Sequence, residues 1–472
     1  MSLNIGLYGV GLDTYWPQFK GLEERLRGYL SAIDEYLDQD GVNVLNSGLV
    51  DSVEKAWDAN KQFKKGQVDV VFVYITTYAL SSTVLPVVND LGVPVIVLNI
   101  QPTSKPDYAL IESMSDRGDR TGEWLAGCQA CSAPEIANVF NRSGISYRLI
   151  TGYLGEQQVE VEIREWIRAL KVQKELKSTN IGLLGHYYDG MLDVYTDITD
   201  LAQTFGVNFK MLEMCELDAH HKSVTDAELE KKIAQFHEEF DIVDECEIEE
   251  IRRAAHTSVA LDKLVETNKL GAMAYYYEGH DGNDYENIVT SIIAGNSLLT
   301  AHGVPVAGEY EVKNIIAMKI MDLLDVGGSF SEPYAMDFDA DEVLWGHDGP
   351  AHFKIAKEKV KLVPLPVYHG KPGKGLSIQM TVQTGLATLF SVVQDKMKGV
   401  VLQYAEGESV EGEVFNIGNT NSRYKFSKSV RDFMTDWSYG GPSHHCAIGL
   451  THIGGVLEKL AFILGAETNK VS

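Results

Sequence analysis

No apolar run in the chain approaches the roughly 18 residues that a membrane span requires. The N-terminus, Met1-Ser2-Leu3-Asn4-Ile5-Gly6, enters a strand-like segment at once, without a basic stretch followed by an apolar one. Neither a membrane helix nor a secretion signal is therefore expected. Cysteine is scarce: Cys128, Cys131, Cys215, Cys246 and Cys446 are an odd number scattered through 472 residues, which is not the framework of a disulfide-stapled secreted domain. A reducing, cytoplasmic setting is the matching expectation. Positive charge is short as well, with 41 Lys and Arg against 67 Asp and Glu. The formal net charge of −26 opposes broad contact with nucleic acid or an anionic membrane surface. Short-period repeats and low-complexity tails are absent too. What remains is a chain with 44% hydrophobic residues, long enough for two or three domains with their own cores. Small neutral or metal-bound ligands suit its charge better than polyanions.

In the first third, residues 4–10, 69–75 and 93–99 read as buried strands, and residues 18–37, 53–63 and 80–91 carry apolar side chains at helical spacing. Strands alternating with helices imply parallel βαβ units, and the right-handed crossover favours a doubly wound sheet. A long helix at 159–176 closes a first domain, residues 1–177. The second, 178–326, repeats the pattern with a strand at 181–184, helices at 191–204, 227–240 and 247–268, and a strand at 271–277. Its last strand-like segment is Val304-Pro305-Val306-Ala307-Gly308-Glu309, followed by a helix at 312–324 with Gly327-Gly328 as its stop. In 327–472 the texture changes. Short alternating stretches at 362–368, 377–382 and 400–404 lie between Gly- and Pro-containing turns and predict an antiparallel or barrel-like third domain. The fold class is thus α/β: two doubly wound parallel α/β domains followed by a β-rich domain.

Gly9-Val10-Gly11 after the first strand lacks the third glycine of a dinucleotide fingerprint, Thr14 standing in its place. A loop at the C-terminal edge of a parallel sheet still binds ligands, which makes Tyr15, Trp16 and Gln18 pocket candidates. Cys128-Gln129-Ala130-Cys131 has redox or zinc spacing, but no second Cys or His pair accompanies it. It lies in a predicted helix and reads as two core or interface cysteines. The informative region starts at Glu309, at the end of a strand-like segment. Glu332 follows in Ser329-Phe330-Ser331-Glu332-Pro333-Tyr334, His347 in Trp345-Gly346-His347-Asp348-Gly349-Pro350, and two histidines in Gly440-Gly441-Pro442-Ser443-His444-His445. Singly, each could be a surface charge or a hydrogen-bonded loop residue. Together, two carboxylates and two imidazoles in Gly- or Pro-bounded turns form a hard-to-borderline ligand set suited to Mn²⁺, Co²⁺ or Mg²⁺. With no thiolate in the set, structural zinc is disfavoured.

These segments resemble the arabinose isomerase family and, more distantly, fucose isomerase. The family's strand-end Ala-Gly-Glu is matched by Ala307-Gly308-Glu309, its helix and Gly-Gly stop by residues 315–328, and its Phe-x-Glu-x-x-Tyr-type segment by the stretch from Phe330 to Tyr334. Its Gly-x-His loop is matched by Gly346-His347, its Gly-Gly-x-His-His turn by Gly440 to His445, and part of its C-terminal domain by Gln383-Thr384-Gly385. The resemblance implies an aldose–ketose isomerase acting on an open-chain sugar through a cis-enediol. Glu309 and Glu332 would then be the catalytic acid–base pair and, with His347 and His445, the ligands of a divalent metal, manganese foremost. It also implies a homo-oligomer built from trimers, commonly hexameric. Where arabinose isomerases carry Gln and, three residues on, a substrate-contacting His, this chain has Gln129 and then Ser132. The loop after Tyr277, with Glu278, His280 and Asp284, is longer. Both changes point to a sugar other than arabinose, such as a deoxy, hexose or sulfonated sugar. Candidate substrate contacts are Tyr15, Trp16, Gln18, Gln129, Met191, Tyr277, His280 and His369. The rival readings are a sugar-binding regulatory protein and a metal-dependent sugar epimerase or aldolase.

Overall fold

Val70–Ile75 is buried at every position, so it has no face to offer water and belongs in the middle of a layered sheet. In the computed structural model, which describes residues 2–278, 282–368, 371–372 and 374–472, this run is the central strand of the first of two compact units, Met1–Lys174 and Glu175–Ser472. The first unit holds strands β1 (Leu3–Val10), β2 (Val42–Val50), β3 (Val70–Ile75), β4 (Val95–Gln101) and β5 (Tyr147–Tyr153). They form one parallel sheet in the order β2-β1-β3-β4-β5. Reversal of strand order at β1 is the doubly wound pattern. Helices Leu22–Leu37 and Val53–Gly66 bury one face each, through Leu26, Leu30 and Ile33 in the first and Ala56, Ala59 and Phe63 in the second.

Two sequence expectations in this unit differ in detail. Residues 80–91 form a turn, Ser81–Thr83, and a four-residue helix, Leu85–Val88, rather than one helix. Pro86 explains the break: it suits the first helical turn but supplies no N–H to a helix running through it. Cys128 and Cys131 lie between helices Arg117–Ala126 and Ser132–Ser143, not inside one. Cys128 is buried, Cys131 is exposed, and their sulfurs are 2.9 Å apart as free thiols.

In the second unit β6 (Asn180–Gly185), β7 (Asn208–Leu212), β9 (Ala272–Tyr276) and β10 (Val306–Ala307) form a parallel sheet in the order β10-β9-β6-β7. The helix expected at 191–204 begins only at Ile198, because the Asp197 carboxylate caps it, accepting from the N–H groups of Thr199 and Asp200 at 2.9 and 3.2 Å. A small sheet joins β8 (Asp241–Ile242), β13 (Lys361–Pro364) and β16 (Leu376–Gln379), and β14 (Val367–Tyr368) pairs with β15 (Lys371–Pro372). The remaining strands are β11 (Gly327–Asp337), β12 (Glu342–His347), β17 (Gly385–Asp395), β18 (Gly399–Val410), β19 (Thr420–Phe426), β20 (Cys446–Leu450) and β21 (Glu467–Lys470). Six of them close an antiparallel barrel, β17-β20-β11-β12-β19-β18 and back to β17, and β21 adds to β18 in parallel. The barrel-like character expected of the C-terminal region is borne out. Trp345, Leu389, Ala405, Phe433 and Trp437 belong to its hydrophobic core.

Gly327-Gly328, expected as a helix stop, also opens β11, at φ of 102° and 110°. Glycine is required there. A Cβ on Gly328 would lie 2.9 Å from the Met318 carbonyl oxygen, in a backbone region that L side chains rarely adopt. This tight reversal leads from the helix Val312–Leu323 into the barrel strand that carries Glu332. Among the described residues, no helix is long and apolar enough to cross a membrane.

Candidate metal centre

Strand register alone brings three of the sequence-nominated residues to one place. In β11, Glu332 is opposite Gly346 of β12, and Ser331 is opposite Cys446 of β20. His347 and His445 are the next residues along, so Glu332, His347 and His445 share one end of three adjacent barrel strands. Glu309 arrives from the parallel sheet, two residues beyond β10. Glu309 and Tyr310 both adopt left-handed backbone, at φ of 55° and 57°. For residues with a Cβ that conformation costs energy and persists only where the surroundings fix it. Here the Tyr310 N–H donates to the Tyr275 carbonyl at 3.2 Å and the Glu311 N–H to the Gly308 carbonyl at 3.0 Å.

The side chains converge. Glu309 Oε2 lies 3.3 Å from His445 Nε2 and 3.4 Å from His444 Nε2, and Glu309 Oε1 lies 3.9 Å from His347 Nε2. Glu332 Oε2 is 3.8 Å from His444 Nε2. Two overlapping ligand groups result, Glu309–His347–His445 and Glu332–His444–His445. Phe330, fully buried, holds both inner imidazoles from beneath, its ring 4.4 Å from that of His347 and 4.3 Å from that of His445. Both ring nitrogens of His445 are buried without a hydrogen bond, as is Oε2 of Glu309. Buried polar atoms are normally paired, so an imidazole and a carboxylate left this way fit a cation.

An outer layer that the sequence reading did not anticipate supports this centre. Glu311, completely buried, brings its Oε2 to 3.7 Å from His445 Nδ1, while Lys313 stands 3.3 Å from its Oε1. Lys313 Nζ also donates to the Asp193 carbonyl at 2.6 Å. The Asp193 carboxylate in turn holds His444, at 2.6 Å from Nδ1 and 3.1 Å from its backbone N–H. Carboxylates behind imidazoles fix ring orientation and raise ligand basicity. The alternation Glu309-x-Glu311-x-Lys313 is present in the sequence, but nothing in the local pattern sets Glu311 and Lys313 apart from other charges.

The charges respond to one another. Burial raises the pKa of Glu309, yet His444 first, then His445 and His347, outweigh it and hold the carboxyl down at about 2. Burial lowers the His444 pKa, and Glu309 and Asp193 overcome that and lift it to about 9. Glu311 is held below the usual carboxylate range by His445 and Lys313 against its own burial. A cavity adjoins the centre, lined by Glu309, His347 and Asp348 on the polar side and by Tyr188, Tyr276 and Ile292 among others.

The residues nominated as substrate contacts are divided between the two units. Tyr15 packs edge-on against Phe19 at 5.8 Å, Trp16 Nε1 donates to Asp51 at 2.9 Å, and Gln18 donates to the Thr14 carbonyl at 2.6 Å. Gln129 is buried and spends its amide on the carbonyls of Thr76 and Ala126, while the Ser132 hydroxyl accepts from the Ala79 N–H. All of these belong to the first unit. In the second, Met191 sits in the loop after β6, where its N–H approaches the Tyr188 carbonyl at 3.4 Å, and Tyr277 packs between His186 and Tyr285. His280 and His369 lie outside the described residues.

No family model matches the chain. Among curated proteins it is 21% identical over 359 residues to a sulfoquinovose isomerase of Alkalicoccus urumqiensis, covering 75% of each chain. It is 19% identical over 425 residues to the sulfoquinovose isomerase of Priestia megaterium, covering 89% of each. With the L-arabinose isomerase of Bifidobacterium adolescentis it shares 20% over 357 residues, 71% of this chain and 68% of the other.

Proposed function

We propose that this chain, an arabinose isomerase-like protein, is a metal-dependent aldose–ketose isomerase that interconverts an open-chain aldose and its ketose through a cis-enediol. The observation that carries the reading is a pair of overlapping candidate ligand groups, Glu309–His347–His445 and Glu332–His444–His445, which share His445 beside a cavity lined by Glu309 and His347. Relatives named for sugar isomerisation support it over most of the chain.

Glu309, Glu332, His347 and His445 would hold the cation, manganese first and cobalt or magnesium as alternatives. When bound, such an ion supplies Lewis-acid stabilisation of oxygen charge. The chain's own residues handle the proton that leaves C2 and returns at C1. A carboxylate pair does this when one member is ionised and the other protonated. Glu309, surrounded by three imidazoles, is the ionised member, and Glu332 is the partner across the centre. Phe330 packs against both inner imidazoles and keeps them in place, and Glu311 orients His445. The resemblance also supports a homo-oligomer built from trimers, which light scattering of the purified protein tests.

The decisive assay incubates metal-stripped and Mn²⁺-loaded protein with neutral, deoxy and sulfonated aldoses and measures ketose. Ketose formed only with metal is the expected result. Glu309→Gln should reduce turnover by about 10² to 10⁴, the usual weight of a general acid–base group, with an unchanged circular dichroism spectrum. An active Glu309→Gln protein, or no ketose from any aldose, would sink the proposal. Epimer or cleavage products would favour the epimerase or aldolase reading instead.

A further inference from the structure

The cavity beside the centre has walls made mostly of carbon: the rings of Tyr188 and Tyr276, the side chains of Ile292 and Ile293, and Pro350. Into this lining the helix Ile293–Ala301 brings one neutral polar side chain, Asn296. Asn296 is 1% exposed, and its carboxamide oxygen is buried without a hydrogen-bond partner. Its backbone is fully engaged, the N–H donating to the Ile292 carbonyl at 2.9 Å and the carbonyl accepting from the Thr300 hydroxyl at 2.8 Å. The carboxamide oxygen is left over. All nine residues of this helix are buried, so solvation does not explain an amide there. Asparagine is also a poor helix-interior residue.

Position ties this amide to the metal centre. Side chains on a helix lean toward its N-terminus, here toward Ile292 and Ile293, which line the same cavity. The helix is anchored at its middle to the loop following His347, because the Ala351 N–H donates to the Ser297 hydroxyl at 3.1 Å. Asp348, Gly349 and Pro350 of this loop line the same cavity. A ligand whose first oxygens reach Glu309 and His347 would run its remaining carbons past these groups.

We propose that Asn296 is a sugar-recognition residue, its carboxamide hydrogen-bonding a hydroxyl on the carbon chain beyond C2 and thereby selecting the configuration at that carbon. The assignment rests on the isomerase reading. A carboxamide offers one acceptor and two donors without charge, which matches a secondary hydroxyl and gives an aldose lacking it nothing to replace it. The surrounding Tyr and Ile side chains exclude water that would otherwise compensate.

The test compares wild type with Asn296→Leu, an apolar side chain of similar size, both loaded with Mn²⁺. After the best aldose is found from a panel of pentoses, hexoses and 6-deoxyhexoses, its 3-, 4- and 5-monodeoxy analogues are assayed with each protein. Asn296→Leu is expected to raise KM for the full sugar about tenfold while kcat changes less, and to match wild type on one analogue, the one lacking the partnered hydroxyl. Mn²⁺ affinity by calorimetry and the melting temperature should stay as in wild type. Equal penalties on every analogue, or a loss of Mn²⁺ affinity in parallel with the kinetics, would overturn it in favour of a framework role. If wild type converts no aldose, the isomerase reading fails first. Calorimetric binding of the pentitols and hexitols to the Mn²⁺-loaded protein then decides: binding abolished by Asn296→Leu supports the assignment, and binding that survives, or no polyol bound, overturns it.

Discussion

Gly349 stands where a methyl group would press on a candidate ligand: a Cβ built there lies 2.9 Å from His347 Nδ1 and 3.2 Å from its Cε1. No positive φ constrains this glycine, so the backbone accepts alanine and the imidazole has to move. Gly349→Ala should weaken Mn²⁺ binding about 10- to 100-fold, the usual effect of disturbing a group that orients a ligand, with little change in melting temperature. Titration calorimetry checks this, and an unchanged affinity would show that the His347 ring is free to swing. At this scale, the residues legible in the sequence were carboxylates and imidazoles beside Gly and Pro: Glu309, Glu332, His347 and the pair His444-His445, although Glu332 and His347 lie in strands β11 and β12 and not in the turns expected for them. Asp193, Glu311 and Asn296 were not. Asp193 meets His444 from 251 positions away, a proximity that only the folded chain supplies. Glu311 is the N-cap of a helix, where a carboxylate is ordinary, and Asn296 sits in a helix buried all round, which has no polar stripe against which an odd residue stands out.

Among elements, helices Met214–Lys222 and Ile248–Asn268 pack with His221 and His256 in contact, their ring centroids 4.1 Å apart. His221 Nε2 and His256 Nδ1 are buried without hydrogen bonds. Burial first, and then the neighbouring His256, lower the His221 pKa to about 4; burial and Lys263 lower that of His256. Asp218 opposes the His221 shift without cancelling it. Both shifts are downward, so between the unfolded value near 6.5 and about 4 the unfolded chain binds more protons than the folded one. Stability should therefore fall as pH drops through that window, by on the order of 1 kcal/mol once solvent screening is allowed for. The double variant His221→Leu/His256→Leu should flatten this part of the pH–stability curve, as followed by urea unfolding. An identical slope in both proteins would place the acid sensitivity elsewhere. The element pattern itself was largely readable, because fully apolar runs and one-sided helices follow directly from burial. Readings failed where one residue redirects the chain, as Pro86 and Asp197 do. The order and closure of the barrel strands were not readable, since β17 pairs with both β18 and β20 through register that no local pattern encodes.

For the whole molecule, the candidate ligands and the Glu311–Lys313–Asp193 support all come from one compact unit, Glu175–Ser472. A cation that binds the folded form alone stabilises it by RT ln(1 + [L]/Kd), about 2.7 kcal/mol at a hundredfold excess over Kd. That free energy enters where the ligands are. A bound ion would relieve the desolvation cost of the buried His445 nitrogens and of Glu309 Oε2, and through Glu309, Glu332, His347 and His445 it would tie the segment after β10 to β11, β12 and β20. Hydrogen exchange with and without Mn²⁺ should accordingly show added protection in peptides spanning 306–316, 327–349 and 440–450. Peptides from β1 to β5 of the first unit should exchange at unchanged rates. Replacing His445 by Asn should abolish the added protection while leaving the metal-free exchange pattern in place, because Asn keeps a buried polar group near Glu311 but offers no imidazole. Uniform protection across both units, or protection that survives His445→Asn, would mean that the ion acts elsewhere on this strongly acidic surface, where a net charge of −26 offers many weak alternatives.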